Sequence, residues 1–162
     1  RAAADFLSGH GFTALILGDS VTGEAREVAK VHAAVAREVR VHGHPFPAPV
    51  AIISGGETTV TIRGKGRGGR CSEFLLSLAI ELDGLAETWS LAADTDGIDG
   101  AESNAGALAT PDTLARARAL GMDAKRHLAQ NDGHGFFSPL GDLVTTGPTY
   151  TNVNDFRVIL VR

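Results

Sequence analysis

The chain has a single cysteine, Cys71, in 162 residues. An internal disulfide is therefore excluded, and the expected compartment is the reducing cytoplasm. No apolar run approaches the roughly 18–20 residues that a membrane-crossing helix needs, so no membrane partner is expected. There is no basic surplus either: 15 Lys and Arg against 19 Asp and Glu leave a formal charge of −4. Without a basic face, nucleic-acid binding is not expected. A signal-peptide pattern and an initiator methionine are both missing, and Arg1 runs straight into Ala2–Leu7, which reads as the middle of a helix. The chain is thus expected to be part of something longer. It contains no G-x-S-x-G elbow, no Ser/His/Asp set and no Walker A sequence, since Lys65 lacks a following Ser or Thr in the required frame. Asp94, Asp96 and Asp99 approach a calcium loop, but the spacing is off by one and Ala105 stands where the bidentate Glu belongs. Repeats and low-complexity tracts are also absent.

What is present is a 43% apolar, 21% charged sequence, enough for one domain with a sizeable core. A short helix up to Gly9 precedes an apolar run, Phe12–Gly18, that reads as a buried strand. Thr22 is a candidate N-cap for a helix carrying Ala25, Val28, His32, Val35 and Val39 at helical spacing. The proline-rich stretch 43–49 is an extended connector. Val50–Ile53 and Thr58–Arg63, joined by Ser54-Gly55-Gly56, predict an antiparallel strand pair. Cys71, Phe74, Leu75, Leu78, Ala79 and Leu82 predict an amphipathic helix ending near Gly84. Further strands are expected at 88–93, 143–145 and 157–161. Thr110 with Pro111 marks one further helix start and Asp123 a second, and 134–140 forms a short turn or helix. The fold class is α/β: a mixed β-sheet flanked by helices, with an antiparallel strand pair around residues 50–63.

Polar signals gather in loops at strand ends, where α/β proteins place their sites. In an acidic chain, four of the eight residues from Arg63 to Arg70 are basic, interleaved with glycines and followed by a helix. Glycine permits close backbone approach, and a helix N-terminus attracts anions, so 63–70 predicts a phosphate or carboxylate site. Gly64, Gly66 and Gly69 also fit G-x-G-x-x-G, with Asp94 ending the next strand, which opens a dinucleotide-binding alternative. The preceding strand alternates Thr/Val/Thr/Ile, unlike the apolar first strand of such units. Asp96 is either a turn cap or a carboxylate facing a ligand, and Asp99 reads as a turn cap. The polar loop 147–155 is either a well-capped turn or a phosphate or ribose contact. Cys71, beside Arg70 yet on the apolar stripe, reads as core.

Four stretches in order, Ser54–Val60, Gly64–Arg70, Thr95–Gly100 and Gly147–Asp155, resemble the MOFRL-type C-terminal domain of glycerate 2-kinases, a family also labelled hydroxypyruvate reductase. The resemblance runs from about residue 18 to the end. It departs at Cys71-Ser72, Asp94 and Tyr150, where the family usually has Asn-Gln, Gly and Gly. What it implies is a single α/β domain over 1–162: a leading helix–strand–helix at 1–42, the connector at 43–49 and a MOFRL-type core at 50–162. It also implies an N-terminal domain elsewhere in a longer polypeptide, the two walls enclosing an active site. The implied reaction is ATP-dependent phosphorylation of D-glycerate to 2-phosphoglycerate with magnesium. Arg70 would be the catalytic cation. Lys65, Arg67, Gly66, Gly68 and Gly69 would bind phosphate or substrate, Glu57 and Thr58 would shape the adjoining turn, and Asp96 and Asn154 would line the cleft. The alternatives are an NAD(P)H-dependent hydroxypyruvate reductase and a non-catalytic anion-binding fragment. Alone, these 162 residues are expected to be inactive.

Overall fold

The computed structural model describes all residues 1–162. The elements are α1 (Ala2–Gly9), β1 (Thr13–Gly18), β2 (Gly23–Glu24), α2 (Ala25–His42), β3 (Val50–Gly56), β4 (Thr58–Thr59), α3 (Arg70–Leu82), β5 (Thr88–Asp94), β6 (Gly106–Ala109), α4 (Thr113–Ala119), α5 (Ala124–Ala129), α6 (Gly133–Phe137), β7 (Leu143–Val144) and β8 (Asp155–Val161). Six strands form one mixed sheet in the order β1-β3-β8-β5-β6-β7, with only the β1–β3 pairing parallel. This is the mixed, helix-flanked sheet expected from the sequence.

Period-2 alternation in β5 and β8 turns Ala92, Ile159 and Val161 toward the helices. They meet a core that includes Val50, Ile52, Phe74, Leu75, Leu78, Phe136 and Phe137. At roughly 1.5–3 kcal/mol for each large apolar side chain buried, this layer dominates the favourable side of folding. Helix α3 lies at its centre. The predicted stripe is buried, and so are Ser72, Glu73, Leu76 and Ser77, because α2 covers one side and α5 and α6 another. Helix α2 presents a ridge of small residues, Ala25, Ala29, Ala33 and Ala36, which lets the two helices approach closely.

Four expectations are corrected. The antiparallel pair at 50–63 does not form: β3 has β1 on one edge and β8 on the other, leaving no edge for residues 58–63. Gly56, at φ +118, turns the chain out of the sheet against Val21, and Thr58–Thr59 pair in parallel with Gly23–Glu24. Glu24 secures that detour, accepting from the backbone N–H (2.9 Å) and hydroxyl (3.0 Å) of Thr61. Second, Thr22 does not cap α2, which begins after Glu24. Third, β1 is an edge strand, with Ile16 and Leu17 51% and 39% exposed, not a buried one. Helix α4 also starts at Thr113, whose hydroxyl accepts from Thr110 N–H at 2.8 Å, so the helix begins later than the Thr110-Pro111 signal placed it. Asp123 caps α5 as expected, accepting from Arg126 N–H at 3.1 Å.

Candidate functional site

Sheet register builds the site. Gly56, Asp155 and Asp94 stand in one cross-strand row at the end of β3, β8 and β5. Helix α3 opens above that row, so its first residue, Arg70, comes down onto three carboxylates. Nε donates to Asp155 Oδ1 at 2.6 Å, Nη2 to Asp94 Oδ2 at 2.7 Å and Nη1 to Glu57 Oε1 at 2.9 Å. The Asp155 side chain is fully buried, Asp94 is 6% exposed and Glu57 is 56% exposed. Arg70 itself is a quarter exposed. Burial opposes its charge, but Asp155, Asp94 and Glu57 together raise its already high pKa, so it is a fixed cation. The Asp94 carboxyl is pushed above the ordinary carboxylate range, first by burial and also by Asp96 and Asp155. The Asp96 N–H and Arg70 pull it partly back.

Beneath this row lies Arg157, only 1% exposed. It ion-pairs Asp155 through Nη2, donates to Thr58 Oγ1 at 3.3 Å and sits 5.2 Å from the Phe74 ring centroid. Thr58 donates both its N–H and its hydroxyl to Asp155 Oδ2 at 3.3 Å. Asp155 is therefore the node of the site, held between two arginines and a threonine. Sequence reasoning left Asp155 out of the site residues, because its role depends on strand pairing with residues about a hundred positions away.

The structure divides the basic stretch in two. Arg70 belongs to the carboxylate cluster, whereas the segment 63–67 lies on the turn at 130–134. Gly66 N–H donates to Gln130 O at 2.8 Å and Arg67 N–H to Asp132 at 2.9 Å. The Arg67 guanidinium grips Glu102 at 2.6 Å, and Lys65 is exposed and forms no ion pair. Asn131 fastens the segment, accepting from Arg63 and Gly64 N–H while donating to Glu73, which is itself paired with buried Arg26 at 2.8 Å.

The expected anion cradle at the start of α3 is already filled from within. Asp99, fully buried, accepts from the N–H groups of Cys71 (2.9 Å), Ser72 (2.9 Å) and Gly69 (3.3 Å). A protein carboxylate therefore occupies the place predicted for a ligand's phosphate. The glycines follow the same logic. A Cβ on Gly69 would stand 2.3 Å from Asp99 Oδ1, and one on Gly66 would stand 2.4 Å from Asp132 Cβ. Both glycines permit close approach of the chain to itself. Burial pushes the Asp99 carboxyl up, while those N–H groups and the Ser72 side chain pull it back. Cys71 and Ser72 are fully buried, and burial raises the Cys71 thiol well above its usual range.

Asp96 and Asn154 make no hydrogen bond to each other, but the loops that carry them touch beside the cluster. Asp96 Oδ1 accepts from Ile98 N–H at 2.9 Å and its carbonyl from Thr149 N–H at 3.0 Å, while Asn154 O accepts from Thr95 N–H at 3.1 Å. The two loops thus brace each other, and Asp96 acts as a turn cap. A groove of about 670 Å³ lies elsewhere, among Ile80, Leu114, Ala117 and Met122, and none of the predicted site residues line it. No group of three or more His, Cys, Asp or Glu side chains is arranged to hold a metal ion. Glu57, Asp94 and Asp155 instead turn their oxygens to Arg70, so no magnesium ligand is assigned in this chain. No helix is long and apolar enough to cross a membrane.

Comparison with known proteins places this geometry. The chain is 51% identical over 163 residues to an Agrobacterium vitis protein named "Putative hydroxypyruvate reductase", covering 99% of this chain and 37% of that one. It is 40% identical over 151 residues to the D-glycerate 2-kinase of Thermotoga maritima, covering 93% and 36%. The crystal structure of a glycerate kinase from the same organism superimposes with a TM-score of 0.96 at 38% identity, covering 99% of this chain and 39% of that one. The chain therefore spans about two fifths of the length of these relatives. Residues 50–155 match the MOFRL family, and the chain belongs to it.

Proposed function

We propose that the full polypeptide carrying this domain transfers the γ-phosphate of ATP to D-glycerate, giving 2-phosphoglycerate in the cytoplasm. This domain supplies one wall of an active site that a preceding domain completes. The observation that carries the reading is Arg70: a permanent cation at the meeting point of three strand ends, aimed by buried aspartates and open to solvent on its Nη1 side. Phosphoryl transfer needs positioning and charge neutralisation more than covalent chemistry, and a fixed guanidinium supplies both. Its planar fork suits the glycerate carboxylate or the transferring phosphoryl group better than a lysine would. ATP arrives with its own magnesium. The names of the kinase relatives and the 0.96 TM-score support this reading.

A coupled ADP-release assay on the full polypeptide with D-glycerate tests it. Arg70→Ala is expected to lower kcat/KM by about a hundredfold, the scale for losing one preorganised charge-stabilising group. Turnover that survives Arg70→Ala intact would remove Arg70 from the mechanism, and kinase activity from residues 1–162 alone would contradict the two-wall arrangement. The reductase reading draws on the name of the Agrobacterium vitis relative. It loses its sequence support once Asp99 and the tight glycine contacts occupy the expected pyrophosphate cradle. NADH consumption with hydroxypyruvate would revive it.

A further inference from the structure

Arg70 is surrounded by more carboxylate than one cation needs, and the three carboxylates are not equivalent. Asp155 and Asp94 belong to paired strands and are buried. They take Nε and Nη2, the side-on edge of the guanidinium. Asp155 cannot leave, since Thr58 and Arg157 hold its other oxygen. Glu57 lies in the short link between β3 and β4. Its side chain is more than half exposed, and its one hydrogen bond is to Arg70 Nη1 at 2.9 Å. Counting Arg70 and Arg157 against Asp94, Asp155 and Glu57, the cluster carries one negative charge too many to welcome an anion, and removing Glu57 brings it to neutrality.

We propose that Asp94 and Asp155 are positioning residues that aim Arg70, and that Glu57 is a displaceable placeholder on the end-on edge of its guanidinium. The carboxylate or phosphate of a small anionic substrate takes that place. An ion pair with an exposed partner is weak and screened by salt, so exchanging one carboxylate for another at Nη1 costs little. Occupancy by Glu57 lowers the fraction of binding-competent sites and weakens apparent affinity by that fraction. Aspartates that stay in place keep Arg70 in one orientation throughout.

The proposal rests on the reading of Arg70 as the anion-gripping cation, and its test separates the two. In the full polypeptide, Glu57→Gln is expected to raise kcat/KM for D-glycerate about three- to fivefold, through a lower KM and not a higher kcat. Inorganic phosphate, titrated calorimetrically and as an inhibitor competitive with glycerate, is expected to bind more tightly by a similar factor. Glu57→Asp, which keeps the charge, stays closer to wild type. Asp94→Asn, checked for an intact melting temperature, is expected to lower kcat instead. Asp155→Asn is expected to do the same, and if it fails to fold, Asp94→Asn carries that arm alone. A Glu57→Gln enzyme whose KM rises, or whose kcat collapses, overturns the placeholder and makes Glu57 a ligand or a base. Equal phosphate affinity in Glu57→Gln and wild type overturns it as well. If the wild type releases no ADP with D-glycerate yet phosphate still binds more tightly to Glu57→Gln, the placeholder stands and the kinase reading falls.

Discussion

Replacing Asp99 by alanine tests whether α3 is capped from within. The carboxylate is fully buried and accepts three backbone N–H groups, from Gly69, Cys71 and Ser72. Gly69 N–H has a second acceptor, Ser72 Oγ at 3.1 Å, so Asp99→Ala orphans two donors. A buried donor left without a partner costs about 1–3 kcal/mol, which puts the loss at about 2–6 kcal/mol. Water entering the vacated space moves the outcome toward the lower half, about 3 kcal/mol. At about 2–4 °C per kcal/mol for a domain of this size, the melting temperature falls by about 6–12 °C. Asp99→Asn keeps one acceptor but turns an amide N–H toward a backbone donor, so its loss is intermediate, about 1–2 kcal/mol. Since burial raises the Asp99 pKa, the ionised form is itself strained, and the stabilisation lies in acceptor geometry more than in charge. Differential scanning calorimetry of the three proteins gives the ordering, and hydrogen exchange at the Cys71 and Ser72 amides localises it. Should Asp99→Ala melt within about 2 °C of wild type with those amides still protected, the internal cap is wrong.

Three more outcomes follow from the same contacts. His32 is neutral and buried, with Nδ1 hydrogen-bonded to Val28 O at 2.9 Å and Nε2 to Ser54 Oγ at 2.8 Å. Burial lowers its pKa, the Val28 carbonyl partly offsets this and the Arg157 charge adds to it. Below pH of about 6.5 the unfolded state takes up a proton that the folded state refuses, so stability is complete above that pH and falls as pH drops. Urea midpoints at pH 7.5 and 5.5 should therefore differ more for wild type than for His32→Gln. Glu73→Ala strands Arg26 in the interior and removes a partner of Asn131, costing about 3–5 kcal/mol. Trypsin should then cut faster at Arg63 and Lys65, which Asn131 otherwise helps to pin. Finally, the Cys71 thiol should react with a disulfide reagent only as fast as the protein opens, because burial removes it from solvent and raises its pKa.

Local order was legible where local physics decides it. The i, i+3, i+4 spacing from Cys71 to Leu82 fixed α3, Asp123 marked α5, and β-branched Val158 and Ile159 marked β8. Strand β6 went unread because Gly-Ala-Leu-Ala carries no β-branched or aromatic residue and is a strand only through its pairing with β5. The partner of β3 was misread because the nearest extended segment seemed the natural one, whereas β8 lies about a hundred residues on. In the candidate site, the basic stretch and the resemblance pointed to Arg70, Glu57 and Thr58, which the structure brings together around Asp155. The cradle was misassigned because nothing in Gly68-Gly69-Arg70 tells that an aspartate some thirty residues later fills it.

The central position of β8 has a consequence for assembly. It follows the other five strands of the sheet in chain order, yet it lies between β3 and β5, and no hydrogen bond of the sheet joins β1-β3 to β5-β6-β7 without it. During synthesis the earlier strands must wait as two separate ribbons, each with an open edge toward the gap that β8 will fill. The strand that closes the gap begins with Asp155, the residue that takes hold of Arg70. Closure of the sheet and fixing of the cation are one event, so a chain released too early lacks both, and no half-folded form holds an aimed Arg70.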